Sequence, residues 1–410
     1  MLFKKELHIK KSQLKGGKKM KKKVLAMLLS AAMVVSIAAC GSGGNDGGDA
    51  GNADSGAATE DTGDAEEADD AGSSEGGNKG YSFQMIVKSF QSTYWQAAIQ
   101  GVEQAKAELG VEVEANGPAN ESDIADQVQM LDSAIQKKPD GIALAACDTK
   151  SVVDSLAKAL EAGIPVVCFD TGVDEAPEGS VYATVATDNA AAGAVAAENI
   201  FPVIEDKIKA ATTDAQVRIG EVNQDATALN IQQRGQGFID KMIELCNGAD
   251  KKVAVVGNEF YVNGTEGKVD EKEAEVIIEV GVPAQTTVDL ASTEAQKIMS
   301  KDDTIAIFGS NQTTAEGVIT ANQTLNKLST DPEKGIIGAG FDAGTPQKEA
   351  ILNDQLIGSV TQSPLMMGYE AVITLAKICD GEEVSDIPMD GYWYGKDNME
   401  DDNIAPNLYD

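Results

Sequence analysis

The sequence predicts an α/β fold with two similar lobes, each a parallel sheet wrapped by helices. From residue 81 onward, short apolar runs alternate with helix-sized segments, which is typical of successive βα units. The runs are almost continuously apolar, as expected of strands buried on both faces, and the segments between them carry apolar residues every three or four positions. The alternation begins again after residue 187, and this repetition predicts the second lobe.

The first lobe is predicted from the residues before that repetition. Its expected strands cover residues 83–87, 111–115, 141–146, 165–169 and 181–187. Its expected helices cover residues 94–109, 122–136 and 149–161.

The second lobe is predicted from residue 189 onward, where a helix leads to Pro202. Further strands are expected at residues 217–222, 253–256, 304–308, 336–341, 356–360 and 392–394. Further helices of this lobe are expected at residues 229–245, 293–299 and 313–325, and a separate helix is expected at residues 364–380. Glycines and a proline interrupt residues 258–290, which we interpret as an insertion or lid.

Residues 1–39 have the pattern of a secretory leader. Residues 18–23 are nearly all basic, residues 24–39 form an apolar run too short for a comfortable membrane span, and Cys40 follows two alanines. The cysteine at this point resembles the lipobox of bacterial lipoproteins. That resemblance implies a diacylglycerol on the Cys40 thiol and Cys40 as the mature N-terminus. The alternatives are an uncleaved anchor or an ordinary signal peptide, and Met20 is an alternative start to Met1.

Residues 40–80 are predicted to form a disordered acidic tether. They consist almost entirely of Gly, Ala, Ser, Asn, Thr, Asp and Glu, so they cannot bury enough apolar surface to order themselves. Without the leader, the chain carries 23 basic and 65 acidic residues, a net charge of −42. This charge disfavours nucleic acid and anionic membrane surfaces as partners.

Histidine and cysteine usage excludes several catalytic and metal sites. The only histidine is His8, in the leader, so the mature chain cannot form a Ser-His-Asp triad, a Cys-His dyad or a histidine-ligated metal site. The remaining cysteines, Cys147, Cys168, Cys246 and Cys379, form no C-x-x-C pair. Cys147 and Cys168 lie near the ends of predicted strands and are expected to be buried free thiols, with a structural disulfide as the alternative. Phosphate-loop motifs are also missing, so no cofactor is expected.

Candidate binding residues stand directly after predicted strands. Asp170, Asn311, Asp342 and Gln362 each end an apolar run. In open α/β sheets ligands bind at the carboxyl ends of the strands. Each residue alone is also a fair helix N-cap or turn residue, but together they predict one polar cluster.

An arginine and an aromatic pair extend this cluster. Arg234 is one of only two arginines in the chain, and a guanidinium is suited to paired oxygen atoms; a surface helix position is the alternative. Tyr94 and Trp95 open the first helix just after Ser92. Two adjacent large aromatics do not both fit the core face of one helix, so at least one is expected to face the cleft or solvent. Aromatic faces suit the C–H faces of sugar rings.

Taken in order, seven short motifs resemble the ribose/galactose-type periplasmic binding proteins over residues 81–395. The motifs are QSTYW (91–95), PVVCFD (165–170), ATDN (186–189), QRGQGF (233–238), GSN (309–311), GFDAG (340–344) and VTQSP (360–364). The resemblance implies two flavodoxin-like lobes joined by a three-strand hinge, with residues 81–187 plus 363–392 in one lobe and 188–362 plus 393–410 in the other. It also implies sugar-binding roles for Ser92, Tyr94, Trp95, Asp170, Arg234, Asn311, Asp342 and Gln362.

Two departures from the family pattern bear on the ligand. Ribose binders have Asp-Arg where this chain has Asp170-Thr171, and Ser92 stands where asparagine is common. These changes put ribose itself in doubt and leave the class of ligand intact.

The expected function is that of a non-enzymatic, extracytoplasmic substrate-binding lipoprotein of an ABC importer. It would capture a monosaccharide by hinge closure and deliver it to the permease transmembrane subunits as a monomer, held to the outer face of the cell membrane through the lipid on Cys40. A sensor that presents a sugar or signal molecule to a membrane receptor or kinase is the main alternative, and a carboxylate-pair glycoside hydrolase is another. A sugar-responsive repressor shares the fold, but the leader and the missing DNA-binding head argue against it.

Overall fold

A computed structural model describes residues 80–409, so the leader, most of the predicted tether and Cys40 lie outside the described residues. The strands are β1 Ser82–Ile86, β2 Glu112–Asn116, β3 Gly141–Leu144, β4 Val166–Phe169, β5 Val181–Thr187, β6 Val217–Val222, β7 Val253–Gly257, β8 Val276–Gly281, β9 Thr304–Gly309, β10 Ile337–Phe341, β11 Leu356–Thr361, β12 Ile387–Met389 and β13 Tyr392–Tyr394. The α-helices are α1 Thr93–Leu109, α2 Ile124–Gln136, α3 Val153–Glu161, α4 Asn189–Ala210, α5 Leu229–Gly248, α6 Glu259–Gly264, α7 Val288–Met299, α8 Gln312–Leu325, α9 Thr345–Leu352 and α10 Pro364–Cys379.

The strands form two sheets, which confirms the predicted α/β fold with two lobes. The first sheet has the order β12-β5-β4-β3-β1-β2 and is parallel throughout. The second has the order β13-β11-β10-β9-β6-β8-β7, and only the edge pair β11 and β13 is antiparallel. We call the parts built on these sheets lobe 1 and lobe 2. Helices cover both faces, so the central strands are buried on both sides.

The chain passes between the two sheets three times. It leaves lobe 1 between β5 and α4, returns between β11 and α10, and leaves again between β12 and β13. Helix α10 packs against α1, and a Cβ on Gly368 would lie 2.1 Å from the backbone oxygen of Ala98. This close approach needs glycine and holds the returning helix on lobe 1.

Two expectations about lobe 2 are wrong. Residues 258–290 are not an insertion or lid, because β8 lies within them and pairs with both β6 and β7. Gly264 and Gly281 are the last residues of α6 and β8, and Gly267 and Pro283 lie in the short connections on either side of that strand. Helix α4 also does not end near Pro202 but continues to Ala210, with the proline on an exposed side of the helix.

Three of the cysteines are buried as thiols in the packed interior, namely Cys147, Cys168 and Cys246. Burial raises the pKa of Cys168 and of Cys246 to about 12, so these thiols stay protonated and unreactive. None of the helices in the described part of the chain is both long and apolar enough to span a bilayer.

Candidate functional site

A buried cavity lies between the lobes, at the carboxyl ends of the strands of both sheets. All eight predicted site residues line it, namely Ser92, Tyr94, Trp95, Asp170, Arg234, Asn311, Asp342 and Gln362. Six further residues complete its lining, namely Lys88, Glu121, Asn230, Ile231, Gln312 and Thr313. The structure therefore brings together the polar residues that follow the strands, the rare arginine Arg234 and the aromatic pair Tyr94 and Trp95.

Two aspartates line the cavity from equivalent positions in the two lobes. Asp170 follows β4 and Asp342 follows β10, and both have left-handed backbone conformations, with φ of 61° and 72°. In each, the backbone N–H donates to the neighbouring strand, to Val185 O at 2.9 Å and to Val360 O at 2.7 Å. Such conformations are uncommon for residues other than glycine and cluster at functional sites. This turn aims each carboxylate into the cavity.

Lys88 forms a buried ion pair with Asp170 within lobe 1. Its Nζ lies 3.1 Å from Asp170 Oδ2, and the two side chains are 1% and 3% exposed. Burial alone would lower the pKa of Lys88, but the carboxylates of Asp170, Glu121 and Asp225 outweigh it and hold that pKa above its ordinary value. The lysine is thus a fixed positive charge in the cavity wall.

Asn230 connects this ion pair to lobe 2. Its Oδ1 accepts a hydrogen bond from Lys88 Nζ at 2.9 Å, and its Nδ2 donates to Asp170 Oδ2 at 3.0 Å. Because Asn230 lies in the first turn of α5, one amide of lobe 2 bonds to both members of the pair in lobe 1. The lobes are therefore in direct polar contact across the cavity.

The aromatic pair opens α1 at the same place. Both rings are buried and line the cavity, and they pack edge to face with centroids 4.9 Å apart. The hydroxyl of Tyr94 donates to Asp170 Oδ1, and the indole N–H of Trp95 donates to Glu121 Oε1 at 2.7 Å. Burial, and then the charge of Asp170, raises the pKa of Tyr94 well above its ordinary value, so the phenol remains a donor.

Arg234 is a buried residue of α5 rather than a surface one, with 1% of the side chain exposed. Its Nη2 and Nε donate to Asn189 Oδ1 at 2.7 and 3.2 Å, and its Nη1 donates to Ser310 O at 2.9 Å. The guanidinium lies 3.6 Å from the centroid of the Phe341 ring. These contacts fix the plane of the guanidinium beside the cavity.

Gln362 links Asp342 to the crossings between the lobes. Its Nε2 donates to Asp342 Oδ1 at 2.7 Å, and its Oε1 accepts from Thr187 Oγ1 at 2.7 Å. Asp342 also accepts from the backbone N–H of Gln312 at 2.9 Å. Thr187 and Gln362 lie at two of the three crossings, so hydrogen bonds connect this carboxylate to both of them.

Asn311 both caps a helix and belongs to the polar cluster of the cavity. Its Oδ1 caps α8 by accepting from Thr314 N at 3.1 Å. Its Nδ2 donates to Gln224 Oε1, and Gln224 Nε2 in turn donates to Glu121 Oε2 across the cleft at 2.7 Å. A helix cap and a second polar bridge between the lobes therefore share one side chain.

The charges that line the cavity nearly balance. Lys88 and Arg234 supply two cations beside the carboxyl groups of Asp170, Glu121 and Asp342. Burial raises the pKa of Glu121 and of Asp342. The lining therefore presents many hydrogen-bond donors and acceptors with little net charge. Such a lining suits a neutral, hydroxyl-rich ligand.

The cavity is small because the lobes are closed on one another. It leaves about 20 Å³ to a water-sized sphere, which is roughly the space of one water molecule. Ligand pockets are commonly about 300–1,000 Å³. A ligand of sugar size therefore enters only when the lobes separate or the lining side chains move.

Sequence reasoning missed Lys88, Glu121 and Asn230. Lys88 follows β1 almost as Asp170 follows β4, so the strand-end rule could have found it. Glu121 and Asn230 lie in a loop and at a helix start, and only the packing of the lobes places them at the cavity. Within residues 80–409, His, Cys, Asp and Glu side chains form no group of three that could hold a metal ion.

Comparisons with known proteins identify the family of this fold. The family described as "Periplasmic binding protein domain" matches residues 83–383. The ribose import binding protein of Bacillus subtilis is 23% identical over 76% of this chain and 86% of its own length, and that of Haemophilus influenzae is 26% identical over 59% and 67%. An ABC transporter solute binding protein from Agrobacterium vitis with bound D-fucose is 27% identical, with a TM-score of 0.66 over 80% of this chain and 100% of that chain.

Proposed function

Because this chain belongs to the periplasmic binding protein domain family, we propose that it is the substrate-binding component of a sugar ABC importer. The observation that carries the proposal is the cavity between the lobes, where paired hydrogen-bonding groups meet two aromatic rings at the strand ends of both sheets. Relatives named for ribose import, and one solved with D-fucose bound, support a sugar as the ligand.

The eight predicted residues are proposed to contact the sugar. Asp170 and Asp342 accept hydrogen bonds from hydroxyl groups, one from each lobe, and Arg234, Asn311 and Gln362 supply donors from lobe 2 and the hinge. Tyr94 and Trp95 offer aromatic surface for the C–H face of the ring, with Ser92 at the rim. To these we add Lys88, whose ammonium group donates hydrogen bonds to sugar oxygens and accepts none.

Ligand capture is proposed to work by closure of the hinge. In an open form the strand ends of both lobes are accessible, and a bound sugar replaces part of the direct contacts that Asn230 and Gln224 make across the cleft. Closure then buries the sugar and favours the conformation that a permease recognises. The sugar shifts this equilibrium only as far as it binds the closed form better than the open one.

The cellular setting is also part of the proposal. Residues 1–39 would be removed, Cys40 would carry the lipid at the outer face of the cell membrane, and residues 40–80 would serve as the tether. Residues 81–187 plus 363–392 and 188–362 plus 393–410 would act as the two moving lobes of a monomer. Replacing Cys40 with Ala should abolish lipid labelling and release the protein from membranes, and unchanged membrane retention would contradict lipidation.

Binding without catalysis is the expected chemistry. Asp170 accepts from Tyr94, Asn230 and Lys88, and Asp342 is held by Gln362 and a backbone N–H. Carboxylates held in this way are arranged for a hydrogen-bonded clamp, which supports capture over hydrolysis. Recovery of unchanged sugar after prolonged incubation with the protein is expected, and steady product formation would contradict it.

A thermal-shift panel on the purified protein tests the central proposal. Pentoses, hexoses, furanoses and polyols are compared, since a ligand at a hundred times its dissociation constant adds about 2.7 kcal/mol of stability. A shift from at least one sugar, confirmed by calorimetric titration, is expected. The absence of any shift across the panel, together with binding of a non-sugar signal molecule, would overturn the proposal in favour of a sensor.

A further inference from the structure

A second, larger cavity adjoins the buried one on the open side of the cleft. We call it the outer chamber. It is an open cavity of about 440 Å³ with walls from both lobes, Ala119 and Thr93 on one side and Thr287 and Pro346 on the other. Four residues line both cavities, namely Ser92, Glu121, Gln312 and Thr313. The two spaces therefore adjoin each other.

The lining of the outer chamber suits a neutral hydroxylated group. Seven of the fifteen lining residues are serine or threonine, and these small hydroxyls alternate with the apolar surfaces of Ala119, Val288 and Pro346. Its ionisable residues are Glu121 and Glu316, and the chamber has no lysine or arginine in its lining. A phosphate or carboxylate would find no counter-charge there, whereas sugar hydroxyls and C–H groups would find both kinds of partner.

Gln312 stands at the boundary between the two cavities. Its backbone N–H donates to Asp342 in the buried cavity, and its Nε2 donates to Thr93 Oγ1 and Glu316 Oε1 in the outer chamber, each at 2.9 Å. The Oε1 of the same side chain is buried and accepts no hydrogen bond from any described residue. A buried acceptor without a donor is costly, and a ligand hydroxyl at this boundary would supply one.

We propose that the outer chamber is a second subsite, which holds a neutral hydroxylated unit joined to the sugar in the buried cavity. The inference rests on the proposed function and narrows it: the preferred ligand is a disaccharide or a polar glycoside rather than a free monosaccharide. The bond between the two units passes Gln312, whose contact with Thr93 opens to admit it. The extra contacts should make a two-unit ligand bind about tenfold more tightly than its single unit.

Calorimetric titration with matched probes tests the inference on the full protein. The monosaccharides of the panel are compared with their methyl glycosides and with maltose, cellobiose, lactose, melibiose, sucrose and xylobiose. We expect at least one disaccharide to bind about tenfold more tightly than either of its component sugars. If a monosaccharide binds as tightly as every disaccharide that contains it, the second subsite is refuted while the proposed function stands. If no sugar of either set binds, the proposed function itself fails.

A pair of variants separates the two cavities. Ala119→Trp fills the outer chamber from an exposed position that does not line the buried cavity, and Ala162→Trp places the same side chain on a distant exposed site of lobe 1. Ala119→Trp should weaken the disaccharide about tenfold and leave the monosaccharide within twofold, whereas Ala162→Trp should change neither. Equal effects of Ala119→Trp on both ligands, or none on either, would overturn the second subsite.

Discussion

Lys88 Nζ lies 3.1 Å from Asp170 Oδ2 in the interior of the cleft, and the amide of Asn230 bonds to both partners from the opposite lobe. A buried ion pair is stable only when the remaining hydrogen-bonding capacity of both ions is satisfied. Here Thr171 and Tyr94 supply the further contacts within lobe 1. The pair therefore links the stability of lobe 1 to the contact between the lobes.

Breaking this pair should cost more than removing it altogether. Lys88→Met leaves Asp170 without its cation, and Asp170→Asn leaves a buried ammonium without its anion, so each should lower the free energy of unfolding by about 3 kcal/mol. The double variant should lose clearly less than the sum of the two changes, because neither charge is left unpaired. Urea unfolding of the three variants measures this coupling, and strictly additive losses would show that the two charges do not interact.

The two arginines of the chain provide a matched test of the ligand site. Arg234→Lys keeps the positive charge but loses the planar fork on Asn189 and the stacking on Phe341, so sugar binding should weaken by about 2 kcal/mol. Arg218→Lys alters the arginine that pairs with Glu279 and Asp303 outside the cavity, and affinity should stay within twofold. Calorimetric titration compares the two variants. A loss below tenfold for Arg234→Lys would place the guanidinium outside the ligand contacts.

Glu221 should make the stability of the protein fall as pH rises. It is fully buried in β6, Asn223 Nδ2 donates to its Oε1, and its Oε2 has no hydrogen-bond partner among the described residues. Burial raises the pKa of Glu221 well above its ordinary value of 4.5. A raised native pKa contributes stability that is complete below the unfolded pKa and is lost as pH rises through the native one.

Glu221→Gln tests this dependence because glutamine keeps the shape and cannot ionise. The stability of the variant relative to the natural protein should be constant below pH 4.5 and then grow by up to about 1.4 kcal/mol per pH unit until the native pKa is reached. Ile219→Val in the same strand should lose about 1 kcal/mol at every pH. Urea unfolding at a series of pH values gives both curves, and a pH-independent difference for Glu221→Gln would mean that the carboxyl is ionised when buried.

The sequence predicted site residues best where a local pattern also fixes a position in the fold. Parallel strands end at one edge of their sheet, so polar residues after apolar runs led to Asp170, Asn311, Asp342 and Gln362, all of which line the cavity. Their contacts with a sugar stay predictions. Lys88 also follows a strand but escaped notice, because a lysine there is usually a solvated side chain and only the fold reveals its partners.

The sequence was least informative where pairing is non-local. The apolar run of β8 was overlooked because turns flank it, and its place between β6 and β7 depends on strands that lie up to 60 residues away. Glu121 and Gln224 are far apart along the chain and meet only through the contact between the two lobes. Contacts between residues that are far apart along the chain leave no periodic pattern in the sequence. The expected lid at residues 258–290 was therefore wrong, because that segment contains a strand of the sheet.

Close packing between two helices of lobe 2 should control the position of the binding residues on α5. A Cβ on Gly193 of α4 would lie 2.1 Å from the backbone oxygen of Arg234, so Gly193→Ala must push the helices apart. This should cost about 1–3 kcal/mol of stability and displace Asn230 and Arg234, with a loss of sugar affinity.

Gly248, at the end of α5, is the matched control because it has open space around its Cβ position. Gly248→Ala should leave affinity unchanged and add up to about 1 kcal/mol of stability. Unfolding and titration of both variants separate the effects: if Gly193→Ala lowers stability but leaves affinity intact, the site does not depend on the register of these two helices.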